Sequence, residues 1–313
     1  MSSEYELLKT LCSVHAPSSD ESRMTKFLVE YIEKNRFSWR HKPHLIYGED
    51  FQDCVMMVWG TPRTAMIAHI DSVGYMVGYD KQLVPVGSPR CDDGTDLVGS
   101  QDGEAVSCTL KIEKDGDDEK IVYESNVELE RGTLLTYKPN WNEDEDYIVS
   151  PFLDDRVGVY VALQLARTLK SGAIIFTTGE ETRSGNVKFC WRYLYKQYHI
   201  HNALIADITW ITEGIEYGKG CVVSLKDSNL PRRTYVEKIL NVARREKIEI
   251  QREVEVSGGS DGGNLQSIPY AVNWCFVGAP QEFPHSPKEK ICKKDIDSMF
   301  LLYKQLMKKK KKG

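Results

Sequence analysis

Five short stretches carry side chains that could hold or use a metal ion: Ala68-His69-Ile70-Asp71, Leu153-Asp154-Asp155-Arg156, Thr178-Gly179-Glu180-Glu181-Thr182, Ala206-Asp207-Ile208-Thr209 and Pro284-His285-Ser286-Pro287. His69 offers an imidazole ligand, and Asp71 can accept its other N–H. A histidine near a sheet edge is commonly structural, so this pair says little alone. Asp154 and Asp155 head an apolar helical pattern, where a helix cap and a metal ligand are equally fair readings. Glu180 and Glu181 are neighbouring acids directly after an apolar strand. Their charges repel, which makes sense when a cation binds one and tunes the other. Asp207 ends another apolar strand, and prolines stiffen the backbone around His285; a loop acid and a tight turn are the plain alternatives. Together the five stretches supply two histidines, two or three carboxylates and a spare glutamate, a set that suits two N/O-ligated divalent ions rather than one.

The remaining candidates are weaker. His15, His41 and His44 lie in or beside polar N-terminal helices and loops, and His199 and His201 follow an aromatic helix with no acid nearby, so all five default to structure; the eight cysteines form no CxxC pair and read as reduced core thiols. Ser257-Gly258-Gly259-Ser260-Asp261-Gly262-Gly263 lacks dinucleotide spacing and a following Walker lysine. No cysteine nucleophile context appears.

The elements that must position these residues alternate in type. After Ser18, Ser19 and Asp20, which read as a cap, apolar residues at Met24, Phe27, Leu28, Tyr31 and Ile32 follow helical spacing. Residues 54–58 and 64–68 read as strands, 157–169 as a helix, 173–178 as a buried strand, 187–195 as a helix and 203–206 as a strand. Further strands at 222–225, 248–254 and 271–277 flank a helix opened by Pro231, and a last helix carries Ile296, Met299, Phe300, Tyr303 and Met307. This rhythm predicts an α/β fold with a mixed, mostly parallel sheet covered by helices on both faces. Residues 73–150 break it with short strands between Gly/Asp turns and read as a small, all-β, barrel-like insert. The catalytic domain is then 1–72 with 151–313. Acidic runs at 114–119 and 142–146 read as hairpin tips, and the lysine run at 308–312 as a silent end.

With 41 Lys and Arg against 46 Asp and Glu, the net charge is -5, and no whole-chain basic field exists for nucleic acid or an anionic membrane. The charged N-terminal stretch does not resemble a signal peptide, and no apolar run approaches the length of a membrane span. These features predict a soluble cytoplasmic protein acting on a small molecule or peptide.

In one order, His69-x-Asp71, Leu153-Asp154-Asp155-Arg156-Val157-Gly158, Glu180-Glu181, Asp207-Ile208-Thr209, Gly218-Lys219-Gly220, Gly258-Gly259-Ser260-Asp261-Gly262-Gly263 and His285-Ser286-Pro287 resemble the glutamyl and tetrahedral aminopeptidases, metallopeptidase family forty-two. The resemblance runs from about residue 65 to 307. It implies a metal-dependent aminopeptidase with two divalent ions per subunit, zinc first, with cobalt or manganese as alternatives. Asp154 would bridge the ions, His69 and Asp207 would complete one, and Glu181 and His285 the other. Glu180 would be the catalytic acid/base and Asp71 would orient His69, with Asp261 the candidate for a substrate contact. The resemblance also implies a cis peptide between Asp154 and Asp155, a peptide substrate with a free N-terminus, and a homo-oligomer in which the insert serves subunit contacts and substrate gating. Family members usually carry a longer insert, so this one predicts an oligomer smaller than a closed tetrahedral shell. The rivals are a related di-metal dipeptidase or N-acyl amino acid deacylase, and, from another class, a binding protein that keeps the metals structurally.

Overall fold

The computed structural model describes residues 4–90, 92–115 and 118–308. Its larger sheet is mixed. At its centre Val55–Trp59, Gly172–Thr177, Thr64–His69, Asn202–Ile205 and Asn273–Glu282 lie side by side, with only the first of these antiparallel to its neighbour. These strands are apolar without interruption because both their faces are covered. Met66 and Ala68 join one core while Ala65 and Ile67 join the other, and Ile174 and Phe176 alternate with Ala173 and Ile175 in the same way. Period-two alternation thus sends successive side chains to opposite cores. Helices Glu6–Cys12, Ser22–Asn35, Leu153–Ala166, Arg233–Glu246 and Lys293–Leu306 pack on the first face, and Val187–Tyr198 and Asp261–Gln266 on the second.

A second, six-stranded sheet is antiparallel throughout. It runs Leu83–Val86, Gly74–Val77, Leu134–Tyr137, Asp96–Gln101, Glu104–Asp115, Asp118–Glu124 and surrounds its own core of Tyr75, Leu97, Leu110, Leu135 and Tyr137. Its two edges approach each other through a bridge between Gln82 and Val122 and the bond from Tyr123 N–H to Lys81 O, which curls the sheet toward a barrel.

Several local expectations differ from the structure. Residues 142–149 fall inside the expected insert span, yet Asn142–Glu143 and Tyr147–Val149 extend the larger sheet, because Tyr147–Val149 pairs with Lys290–Cys292. Ser18, Ser19 and Asp20 do not cap the helix Ser22–Asn35. Its N-cap is Glu21, without a side-chain bond, and the Ser18 hydroxyl instead donates to Asp71. The acidic run at 114–119 lies on a hairpin whose tip, 116–117, is outside the described residues, as is the lysine run from 309 onward. Among the described residues no helix is long and apolar enough to cross a membrane.

Candidate metal centre

Strand register brings two of the candidate residues, His69 and Asp207, to one level. His69 ends Thr64–His69 and pairs with Thr177. Ile205 pairs with Ile67, so Asp207, two residues on, stands level with His69. All these are C-terminal ends of parallel strands, where an open α/β sheet builds its sites. Glu180 and Glu181 follow in the turn after Thr177.

Asp154 arrives from the head of Leu153–Ala166. There Asp154 and Asp155 leave helical geometry, and the peptide between them is cis. The two acids face different ways. Asp155 Oδ1 accepts from the Gly158 N–H at 2.8 Å and its Oδ2 from the His69 N–H at 3.2 Å, which leaves Asp154 facing the cavity. A Cβ on residue 158 would lie 2.5 Å from both Asp155 carboxylate oxygens and from Ala206 O, so glycine is required there.

The Asp154 carboxylate faces two ways. Its Oδ1 lies 3.0 Å from His69 Nε2, and its Oδ2 lies 3.3 Å from His285 Nε2. Asp207 Oδ1 is 3.7 Å from the same His69 nitrogen, and Glu181 Oε2 is 3.3 Å from that of His285. Two potential ligand sets result, His69 with Asp154 and Asp207, and Asp154 with Glu181 and His285, each with its ligand atoms within 4.8 Å of one another. The donors are imidazole and carboxylate, the chemistry of zinc, cobalt and manganese sites. Glu181 Oε1 is buried without a hydrogen-bond partner, a defect that a cation would remove.

The electrostatics point the same way. Burial pushes the Glu180, Glu181 and Asp207 carboxyls up, and the neighbouring carboxylates add to the effect. For Asp154 burial acts upward too, but hydrogen bonds from His285 and His69 outweigh it and hold the carboxyl low. Burial opposes a charge on His69, yet Asp154, Asp207 and Asp71 raise it well above the ordinary imidazole range. Protons thus relieve a crowding of acids that divalent ions would relieve more completely.

Around these residues lies a bracing layer. Asp71, fully buried, has its Oδ1 3.4 Å from His69 Nδ1 and accepts from the N–H groups of Glu180 and Glu181 at 3.1 Å each. Buried Arg156 donates to Ile70 O. Glu289, absent from the sequence reading, accepts from the His285 N–H at 2.8 Å and the Asp154 N–H at 3.0 Å, one carboxylate holding two of the three residues of the second set. Glu21, also unforeseen, accepts from the Gly179 N–H at 3.1 Å, and Ser88 Oγ lies 2.9 Å from His285 Nδ1. Asp261 is buried beside the cavity, its carboxylate accepting from Thr177 and Asn264, while Ser260, Gly263 and Asn264 form the wall itself.

The sequence profile of the M42 glutamyl aminopeptidases matches residues 118–302. The chain belongs to this family. As an M42 peptidase it is a hydrolase, and a curated relative from Acetivibrio thermocellus, an aminopeptidase by assignment, is 25% identical over 325 residues, covering 94% of this chain and 95% of that protein. Solved structures share the M42 chain's fold at lower identity. The TET aminopeptidase from the marine sediment archaeon Thaumarchaeota archaeon SCGC AB-539-E09 superposes with a TM-score of 0.84 at 18% identity, covering 97% of this chain and 96% of that one. The Pyrococcus horikoshii TET1 peptidase, described as assembling into a tetrahedron or a large octahedral shell, gives 0.81 at 19% identity over 96% and 98%.

Proposed function

We propose that this M42 chain is a metal-dependent aminopeptidase that releases the N-terminal residue of peptides, with zinc as the first choice of ion and cobalt or manganese suited to the same donors. The observation that supports this best is the division of the Asp154 carboxylate between His69 and His285, each set completed by one further acid. Divalent ions held by these residues would supply Lewis acidity, lowering the pKa of a water toward neutrality and polarising the scissile carbonyl. Glu180 lines the same cavity but belongs to neither ligand set. In this proposal it accepts the proton of the attacking water and delivers it to the leaving amine. Asp71 positions Glu180 and Glu181 through their N–H groups and orients His69, Glu289 holds Asp154 and His285, and Asp261 braces the wall against which substrate lies.

The segment 73–150 is proposed to serve subunit contacts and access to the site, within a cytoplasmic homo-oligomer. The expectation of an assembly smaller than a closed shell rests on a short insert. Against it stands the 98% of the Pyrococcus horikoshii TET1 chain that this one covers.

Exhaustive chelation followed by addition of zinc or cobalt tests the function, with aminoacyl anilides and N-acylated amino acids as parallel substrates. Anilide hydrolysis should vanish and return with metal. Activity that persists in metal-free protein overturns the proposal, and cleavage of the N-acylated substrates alone favours the deacylase alternative.

A further inference from the structure

The cavity of about 480 Å³ that contains the metal-ligand candidates continues past them to a second group of acids, Asp227, Glu253 and Glu255. None belongs to either ligand set. Asp227 and Glu253 are buried, at 8% and 4% exposure, at the ends of the paired strands Cys221–Lys226 and Ile250–Val254. The Asn229 N–H donates to Asp227, and hydroxyl groups hold the two glutamates in place. Thr209 donates to Glu253 in a short hydrogen bond, and Thr212 donates to Glu255 at 2.5 Å.

Among the described residues no salt bridge joins these acids to a protein cation, and only the charge of Lys226 acts on Asp227. The ammonium of Lys226 is taken up by the main-chain carbonyls of Asp227 and Glu255, at 2.7 and 3.1 Å. The one arginine or lysine of the wall, Arg183, is exposed and follows the catalytic turn in sequence. An independent sign of a missing partner is Ser224, opposite Glu253 in the strand pairing. It lines the cavity at 2% exposure, and its hydroxyl, which interacts with the Glu253 carboxylate, makes no hydrogen bond of good geometry. Burial pushes the Glu253 and Asp227 carboxyls up, so a charge there is costly until a cation arrives.

Position decides which cation. Thr209, which grips Glu253, stands two residues beyond Asp207 on a strand, and two residues of strand span about 7 Å on one face. A substrate's α-amino group is attached to the carbon next to the scissile carbonyl and must stay beside the ligand sets. The second acid group is too distant for it, but within the reach of an extended lysine or arginine side chain. Phe276 and Ile208 in the wall offer apolar surface to the methylene stem.

We propose that this pocket receives the first side chain of the substrate and selects a cationic one, lysine or arginine, through Glu253 with Asp227 and Glu255. The inference rests on the aminopeptidase reading and adds its substrate class. It also separates this chain from a glutamyl preference, since an acidic side chain would meet three carboxylates.

The test compares kcat/KM of the metal-loaded protein on lysyl, arginyl, leucyl and glutamyl anilides, for the wild type and for Glu253→Gln and Glu255→Gln. Lysyl and arginyl substrates should lead, with glutamyl last. The lysyl-to-leucyl ratio should fall by about 10- to 100-fold in Glu253→Gln, the worth of a hydrogen bond to a charged group. Titration calorimetry of the wild type with free L-lysine, L-leucine and L-glutamate gives a readout independent of variant folding and turnover, and lysine should bind at least about tenfold tighter than either. A wild type that prefers leucyl or glutamyl substrates, an unchanged ratio in folded Glu253→Gln, or equal binding of the three amino acids overturns the pocket assignment while leaving the aminopeptidase reading intact. Hydrolysis of none of the four anilides by metal-loaded protein overturns that reading itself, and this inference with it.

Discussion

Replacing Glu180 and Glu181 one at a time with glutamine should separate two tasks in side chains that adjoin in sequence. Asp71 accepts from both backbone N–H groups at 3.1 Å, so exchanging either side chain leaves the turn anchored. Glu181 Oε2 lies 3.3 Å from His285 Nε2 within the second ligand set, and glutamine there trades a charged ligand oxygen for a neutral amide. Glu180 belongs to neither set, so glutamine keeps its volume and removes only the base. General acid–base catalysis is worth roughly 10²–10⁴ in rate, about 3–5 kcal/mol of barrier. The assay pairs elemental analysis with kcat and KM on an aminoacyl anilide. Glu180→Gln should retain two ions per chain and lose that factor in kcat with little change in KM. Glu181→Gln should bind one ion far more weakly and recover part of its activity at high zinc or cobalt. The reverse pattern would show the roles assigned backwards, and two fully active variants would remove the pair from the active site.

Three further outcomes follow from the geometry. Gly158→Ala places a Cβ against the Asp155 carboxylate and Ala206 O, so thermal unfolding should show a loss of more than about 2 kcal/mol and activity should fall with it; a variant as stable as wild type contradicts the packing. Burial raises the Asp261 carboxyl from 3.8 to about 6, so wild-type stability should decline as pH rises from about 4 to 6 and the cost should be complete above that, on the order of 3 kcal/mol. Asp261→Asn should therefore gain melting temperature relative to wild type across that window and hold the gain at pH 8, whereas a gain confined to low pH would reverse the sign. Light scattering should give a mass well above the 35.7 kDa of one chain, and a monomer at working concentration would contradict the proposed assembly.

The residues that could be picked out in the sequence are those whose chemistry clashes with their surroundings. Asp207 and the Glu180-Glu181 pair end uninterrupted apolar strands, and the turn residues of a buried sheet are where acids draw notice. The split between Asp154 and Asp155 was not legible, because cap and ligand call for the same residue type and only the turn of the chain at the helix head separates them. Glu289 and Glu21 escaped notice for a different reason. Each works through backbone N–H groups far away in sequence, Glu289 on Asp154 and Glu21 on Gly179, and such bonds leave no local spacing. Ser18 illustrates the opposite error, since a serine ahead of an amphipathic helix looks like a cap whatever it bonds. The return of residues 147–149 to the larger sheet depends on pairing with 290–292, more than a hundred residues away, which strand propensity does not encode.

The most direct test of the two-ion centre is anomalous diffraction at the zinc edge from crystals of the zinc-loaded protein. Two peaks are expected in each chain, one among His69, Asp154 and Asp207 and the other among Asp154, Glu181 and His285, with the Asp154 carboxylate between them. A single peak, or peaks away from these side chains in a fully active preparation, would contradict the account.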